Sequence, residues 1–144
     1  MHKRLNETFV ARRIKRVKGE IALAGDKSIA HRYIILSALC QGKTKIENFP
    51  FNKDCLSTLR AFQKLGLKIT SSHNAINVFG KGLFGLKKPR GPIFIGDSGT
   101  TLRLILGVLA GQDFEVKLVV GKSLSQRPML RVTEPLRLMG AKIR

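Results

Sequence analysis

The deciding stretch is GDKSIAHR at residues 25–32, which is followed at once by the apolar run YIIL at residues 33–36. Gly25 and Asp26 break a strand-like segment, and the apolar run behind them indicates a helix. Ser28 and Arg32 lie four residues apart and therefore share one face of that helix near its first turn. Lys27, Arg32 and the free N–H groups of the helix start are suited to one phosphate or carboxylate. The stretch therefore predicts an anion site at a helix start.

The same pattern occurs again 71 residues further along the chain. Gly96-Asp97, Arg103 and an Ile/Leu run repeat the order of glycine, aspartate, arginine and apolar residues seen in the first stretch. A second match, at an offset of 74, pairs LGLKI at 65–69 with MGAKI at 139–143. A repeat of this length usually marks a duplicated supersecondary unit. We therefore expect two repeat units, at about residues 21–91 and 92–144.

Each unit is predicted to run strand, helix, strand, helix, strand, which is an α/β pattern with helices packed on sheets. Gly42 and Gly66 are expected to end the first two helices, and Pro135 to kink or restart the last one. The predicted strands are 21–23, 44–48, 68–70, 75–79, 92–95 and 114–120. The predicted helices are 28–40, 54–65, 99–110 and one that Pro128 opens. Residues 80–91 are predicted to be a surface loop.

Composition limits the class of protein. The chain has 144 residues and 43% apolar residues, enough for the core of one domain. No apolar run approaches the roughly 20 residues that span a bilayer, and the basic N-terminus lacks the apolar region of a secretion signal. We therefore expect a soluble, cytoplasmic protein that does not enter a membrane.

The cysteines and histidines predict neither a metal site nor a disulfide. Cys40 and Cys55 lie in apolar helical patterns without CxxC spacing, and we expect both to be buried, reduced thiols. His2, His31 and His73 are scattered along the chain. Because metal sites need three or four clustered ligands, no metal is expected. His31 is interpreted as a structural residue.

The net charge of +18 raises the alternative of a basic nucleic-acid-binding module. Such a module usually alternates aromatic residues with Lys and Arg, so that bases can stack. This chain has one Tyr and eight Phe, and most of the Phe lie in apolar runs. We therefore expect no specific nucleic-acid partner, and anionic small substrates would account for a few of the basic residues.

Three stretches in the same order carry a resemblance to a known family. They are GDKSIAHR at 25–32, GDSGTTLR at 96–103 and RPM at 127–129. Together they resemble the signatures of 5-enolpyruvylshikimate-3-phosphate synthase. The resemblance implies two similar domains, each with three βαβαββ units. This chain would be an N-terminal fragment, with about two of the three units of one domain at 21–144. Residues 1–20 would be the segment that crosses to the C-terminal domain in the family.

The resemblance also implies substrate-binding residues. Lys27, Ser28 and Arg32 match the residues that bind shikimate 3-phosphate. Lys27, Gly99 and Arg127 match those that bind phosphoenolpyruvate.

Two further residues are expected to support the site. Asp97 stands where the family usually has Asn, and it either contacts a ligand or acts as a helix cap. Arg103 either supports the phosphoenolpyruvate site directly or braces it through a buried ion pair.

The activity that the resemblance implies is transfer of the carboxyvinyl group of phosphoenolpyruvate to the 5-hydroxyl of shikimate 3-phosphate. This step belongs to aromatic amino acid biosynthesis and needs no cofactor. The catalytic residues of this chain are unknown, because the family's acid and base residues lie in its C-terminal half. We expect a half-site with little activity alone, partnered by the missing domain or by a covering chain. A UDP-N-acetylglucosamine enolpyruvyl transferase shares the fold and stays an alternative, although its signatures differ.

Overall fold

The structure, a computed structural model, describes residues 9–144, in which five helices and five strands form two sheets with helices packed against them. This confirms the predicted α/β class. The elements in chain order are α1 (Lys27–Leu39), β1 (Gln41–Ile46), α2 (Lys53–Lys64), β2 (Lys68–Ser71), β3 (Ile76–Lys81), β4 (Ile93–Gly96), α3 (Gly99–Ala110), β5 (Leu118–Val120), α4 (Lys122–Ser125) and α5 (Leu130–Leu138).

The first sheet has the strand order β1-β3-β2, and both outer strands run antiparallel to β3. Strands β1 and β2 therefore run parallel to each other, with α2 as the connection between them. Ile46, Ile76 and Val78 are buried on the face that meets the helices. Helix α1 approaches β3 so closely that a Cβ on Gly80 would collide with the carbonyl groups of Ser37 and Cys40.

The second sheet pairs β4 and β5 in parallel, with α3 as the crossover. Helix α2 also contacts β4, because the Ser57 hydroxyl donates to the Ile95 carbonyl at 2.7 Å. Buried side chains from both sheets and from α1, α2 and α3 form one hydrophobic cluster. The two predicted repeat units thus share a core, while their boundary at about residue 91 stays a prediction.

The first three long helices confirm the sequence prediction to within about one residue at each end. The side chain of Asn52 caps α2 by accepting from the Cys55 N–H at 3.0 Å. Gly66 follows the C-cap of α2 with φ of +88°, a conformation that favours glycine. The hairpin of β2 and β3 is confirmed as well.

The predicted strand at 21–23 is wrong. The segment is extended, but it pairs with no strand among the described residues, and Ile21 and Leu23 are 82% and 73% exposed. The predicted strand 114–120 is reduced to β5, because the four-residue partner β4 is too short to pair with all of it. Gly80 and Lys81, which were assigned to a loop, belong to β3.

Three details near helix ends also differ from expectation. Helix α5 begins at Leu130, two residues after Pro128, and stays helical through Pro135 instead of restarting there. Helix α4 was not predicted. Cys40 is exposed because it follows the last residue of α1, whereas Cys55 is buried as expected.

The N-terminal segment predicted at 1–20 is described only in part. Residues 1–8 of this segment, with His2, lie outside the described residues. Residues 9–20 are exposed and form neither helix nor strand. Its predicted crossing to another domain stays a prediction.

Candidate functional site

The start of α1 is fixed by a side-chain cap. Asp26 accepts from the Ile29 N–H at 2.7 Å, and its carbonyl accepts from the Ala30 N–H at 3.0 Å. An aspartate cap leaves its backbone outside the helix while satisfying one of the free N–H groups. Lys27 and Ser28 are therefore the first two helical residues, and both are exposed.

Arg32 folds back over the same helix start. Its Nη1 donates to the Ser28 carbonyl at 2.9 Å, which confirms that these two residues share a face. The guanidinium group is exposed and keeps other N–H donors free for an anion. Lys27, Ser28 and Arg32 thus lie within the first two turns of one helix, and their role as one anion-binding group stays a prediction.

Lys27 has a carboxylate partner that the sequence prediction missed. Its Nζ lies 2.9 Å from Oδ2 of Asp54, in the first turn of α2, and the two side chains are 51% and 37% exposed. The hydrogen bond and the charge of Asp54 raise the pKa of Lys27 above its usual value. Lys27 therefore stays cationic, and an incoming anion would have to share it with Asp54. The only sequence signal for this pair was an acid at a predicted helix start.

Helix α3 begins one position later in the repeat than α1 does. Its cap is Ser98, whose Oγ lies 3.4 Å from the Thr101 N–H, and its first residue is Gly99. Asp97, the counterpart of Asp26 in the repeat, does not cap this helix. The helix start therefore has a neutral cap with a glycine beside it.

Two guanidinium groups converge on Gly99. A Cβ placed on Gly99 would lie 3.3 Å from Nη1 of Arg103 and 3.6 Å from Nη1 of Arg127. Leu124 Cδ1 would lie 3.5 Å from the same Cβ, and Gly99 is buried, so the missing side chain lets both guanidinium groups pack close to the helix N-terminus. This end of α3 has the charge and the donors that a small carboxylate or phosphate requires.

Arg103 carries a donor that nothing satisfies within residues 9–144. Its Nε is buried without a hydrogen-bond partner there, and no acid in that part of the chain forms an ion pair with it. The buried ion pair that was considered for Arg103 is not formed within these residues, and its supporting role stays a prediction. The guanidinium is instead held half-buried beside Gly99.

Asp97 faces α4, not the start of α3. Its Oδ1 accepts from the Leu124 N–H at 2.9 Å, and its carboxylate fills the space beside Gly121, where a Cβ would meet Oδ1 at 2.6 Å. The N-cap residue of α4, Gly121, has no side chain to cap the helix, so Asp97, which follows β4 directly, supplies the acceptor. Arg127 lies two residues after the end of α4, and its Nη2 is 3.4 Å from Oγ of Ser123. Asp97 therefore fixes the segment that carries Arg127.

The starts of α1, α2 and α3 meet at one end of the core. Asp54 joins them, because its carboxylate binds Lys27 and its carbonyl accepts from the Thr101 hydroxyl at 3.3 Å. Cys55 Sγ adds a contact of 3.7 Å to the Lys27 carbonyl. The positive ends of three helix dipoles therefore add to the positive potential of the cationic side chains at the starts of α1 and α3.

A buried polar side chain links these helix starts. His31 is fully buried in α1, and its Nδ1 lies 2.6 Å from the Thr58 hydroxyl of α2. Burial lowers the pKa of His31, with Lys27 and Arg32 acting in the same direction and Asp54 against them. The imidazole is therefore neutral at pH 7. His31 is structural, as the sequence interpretation held.

Neither a metal cluster nor a membrane span is found within the described range. Residues 9–144 contain no group of three His, Cys, Asp or Glu side chains placed to hold an ion. None of the helices in this range is long and apolar enough to cross a membrane.

Comparison with known proteins gives consistent matches. A model of the family described as EPSP synthase (3-phosphoshikimate 1-carboxyvinyltransferase) matches residues 11–144. The 3-phosphoshikimate 1-carboxyvinyltransferase of Bacillus cytotoxicus is 48% identical over 132 residues, covering 92% of this chain and 31% of that protein. The same-named protein of Bacillus subtilis is 46% identical over 131 residues, covering 91% and 31%.

A solved structure of EPSP synthase from Acinetobacter baumannii superposes with a TM-score of 0.84 at 40% identity. The match covers 88% of this chain and 28% of that one. The chain therefore spans less than a third of the length of each of these three proteins.

Proposed function

Because this chain belongs to the EPSP synthase family, we propose that it takes part in the transfer of the carboxyvinyl group of phosphoenolpyruvate to the 5-hydroxyl of shikimate 3-phosphate, with release of phosphate. In this proposal the 144 residues supply substrate binding, and the groups that move protons come from outside them. A cytoplasmic setting belongs to the same proposal, since both substrates are small metabolites of amino acid biosynthesis.

The observation that carries the proposal is the close approach of Arg103 and Arg127 to Gly99 at the start of α3. Phosphoenolpyruvate is a small dianion or trianion, and planar guanidinium groups bind its carboxylate or phosphate through paired N–H donors. The N–H groups at the α3 start add neutral donors to the same site. We assign phosphoenolpyruvate to Lys27, Gly99 and Arg127, with Arg103 as a supporting cation.

The second substrate is assigned to the α1 start. Lys27, Ser28 and Arg32 offer an ammonium, a hydroxyl and a guanidinium within the first two turns of one helix. The phosphate of shikimate 3-phosphate matches this set of donors. Asp54 contacts residues at both helix starts, because its carboxylate binds Lys27 of α1 and its carbonyl accepts from Thr101 of α3.

Holding two anions side by side is the chain's contribution to the chemistry. In the reaction the hydroxyl of shikimate 3-phosphate must approach the enol carbon of phosphoenolpyruvate. Both substrates are anions, so their electrostatic repulsion opposes this approach. Fixed cations and helix N-termini reduce that repulsion and orient the reacting groups. Deprotonating the hydroxyl and protonating the methylene carbon need an acid and a base, which we place in the remaining length of the family's chain.

The nucleic-acid alternative has no specific observation in its favour. The outer face of the first sheet does carry lysines around an aromatic ring. However, Nζ of Lys43 and of Lys68 lie 5.9 and 5.1 Å from the centre of the Phe79 ring. These internal cation–π contacts occupy the ring on which a base would stack.

The test is titration of the folded 144-residue chain with phosphoenolpyruvate by calorimetry. In Arg127→Lys a single ammonium replaces the paired donors, and we expect binding to weaken about tenfold. The matched control is Arg131→Lys, an exposed arginine one turn away, which should bind like the parent. A folded parent that does not bind phosphoenolpyruvate, or equal weakening in both variants, would overturn the assignment.

A further inference from the structure

Four buried polar side chains form a continuous line from α1 to the cap of α3. His31 Nδ1 lies 2.6 Å from Thr58 Oγ1, which is 2.7 Å from Thr101 Oγ1, which in turn is 2.8 Å from Ser98 Oγ. Each of the four residues is at least 97% buried. Polar groups in an apolar core are costly unless each finds a partner, and a satisfied network fixes one arrangement of the core.

Only one arrangement of protons makes all four contacts of the line at once. Thr101 Oγ1 contacts three oxygens, of which the Asp54 carbonyl, at 3.3 Å, can only accept. In this arrangement the Thr101 hydroxyl donates to Asp54, and its lone pairs accept from Thr58 and Ser98. The Thr58 oxygen then accepts from His31, which places the proton of the neutral ring on Nδ1.

The other ring nitrogen agrees with this assignment. Nε2 of His31 is buried and has no hydrogen-bond partner within residues 9–144. A proton on Nε2 would be a buried donor without an acceptor, which is unfavourable. Lys27 and Arg32 are cations near the ring, and Asp54 is the facing acid on α2.

Both ends of the line lie beside residues of the anion sites. His31 precedes Arg32 and lies one turn after Lys27, while Ser98 precedes Gly99. Asp54 connects the line to the α1 site, because its carbonyl accepts from Thr101 and its carboxylate binds Lys27. Apolar contacts between helices tolerate small sliding and rotation, whereas directional hydrogen bonds do not.

We propose that the line His31–Thr58–Thr101–Ser98 is a positioning network that sets the spacing of the two anion sites at the starts of α1 and α3. None of its members touches an anion in the proposed function. The network acts by holding three helix starts in one register. Its effect on ligand affinity rests on the proposed function, whereas its effect on the helix starts does not.

The decisive pair of variants is Thr58→Val and Thr58→Ser. Valine keeps the shape but removes the hydroxyl, which leaves His31 Nδ1–H without a partner and removes one of the three contacts of Thr101 Oγ1. Serine keeps the hydroxyl. NMR of the labelled chain should show the Nδ1-protonated tautomer of His31 in the parent and in Thr58→Ser. In Thr58→Val that preference should be lost, and the amide signals of Lys27 and Gly99 should both move.

Ligand titration supplies the functional readout. We expect Thr58→Val to bind phosphoenolpyruvate about tenfold more weakly and Thr58→Ser to bind within about twofold of the parent. If Thr58→Val does not fold, the pair His31→Leu and His31→Asn replaces it. Asparagine restores a donor near the position of Nδ1, so only the leucine variant should shift the Gly99 amide.

Two results would overturn the network. One is an Nε2-protonated His31 in the parent, and the other is a folded Thr58→Val chain whose signals at both helix starts match the parent. If the parent binds neither anion, only the proposed function is contradicted. The tautomer of His31 and the amide signals still test the network, because they do not depend on a ligand.

Discussion

The starts of α1 and α3 come from one repeated sequence pattern, yet they present different anion sites. At α1 the cap is the charged Asp26, and Lys27 and Arg32 already bond within the chain. At α3 the cap is the neutral Ser98, and two guanidinium groups lie beside Gly99. A ligand at α1 must compete with internal partners, whereas a ligand at α3 meets donors that are already arranged.

The cause of the difference is a shift of one residue. Asp26 and Asp97 occupy the same place in the repeat, but Asp97 turns to cap α4 and leaves Ser98 to cap α3. A sequence repeat therefore does not determine where a helix begins; the choice of capping side chain does. That choice removes a carboxylate from the α3 start, where it would repel an anionic ligand.

The largest effect is expected from adding a side chain at the start of α3. In Gly99→Ala the new Cβ would lie 3.3 Å from Nη1 of Arg103, so the guanidinium must shift by a few tenths of an ångström from its present geometry. Loss of a charge-assisted hydrogen bond costs about 1.5–3 kcal/mol, so phosphoenolpyruvate should bind about 10 to 100 times more weakly in calorimetry. Shikimate 3-phosphate binding should change less.

Gly107→Ala is the matched control in the same helix. Gly107 has no atom within 4 Å of an added Cβ, so alanine fits there without displacing a neighbour. We expect unchanged affinity and a gain of up to about 1 kcal/mol in the free energy of unfolding. If both alanine variants lose the same affinity, the start of α3 at Gly99 is not a ligand site.

The next effect concerns the α1 start. Lys27→Ala removes the cation assigned to both substrates, and we expect shikimate 3-phosphate to bind about tenfold more weakly. Lys53→Ala, which removes an exposed lysine at the first position of α2, is the control. If the two variants have the same affinity, the α1 group is not the phosphate site.

A smaller effect of opposite sign should follow from Asp54→Asn. The variant releases Lys27 from its carboxylate partner, which lies 2.9 Å away and is partly exposed. Because such pairs contribute at most about 1 kcal/mol, shikimate 3-phosphate should bind up to about fivefold more tightly. Weaker binding in a titration would contradict this expectation. It would show that orienting Lys27 is a larger effect of Asp54 than competing with the ligand for Lys27.

The smallest effect is a pH dependence of stability. Burial lowers the pKa of His31 in the folded chain, so folding favours the neutral ring. Its contribution is fully present above the unfolded value of about 6.5 and is lost as the pH falls toward the folded pKa. The urea midpoint should therefore fall between pH 7.5 and 5.5 by more in the parent than in His31→Asn. Identical pH profiles would contradict this role for His31.

Local signals were sufficient to predict the three long helices but not the contacts between them. The apolar spacing, with Gly66 after α2, predicted α1, α2 and α3 closely, although Gly42, which was expected to end α1, lies in β1. The strand at 21–23 was wrong because a strand also needs a neighbour, which a local pattern does not reveal. The same limit applies to Asp54, which is 27 residues from Lys27 in sequence.

The site residues show the same division between local and distant information. Ser28 and Arg32 could be paired from their spacing alone. Arg127 is 24 residues from Arg103, and its place beside Gly99 followed only from the resemblance to a family. The buried line from His31 to Ser98 has no sequence signature, because His31, Thr58 and Thr101 are 27 and 43 residues apart in the chain and form no local pattern.

The contact between Asp97 and α4 has a consequence for the entropy of binding. A helix of four residues does not persist in water by itself, because forming its first turn fixes several dihedral angles for a single hydrogen bond. The Asp97 carboxylate stabilises that turn within the folded chain. The freedom of the segment before Arg127 is therefore lost on folding and not when a ligand arrives, which leaves more of the interaction energy for affinity.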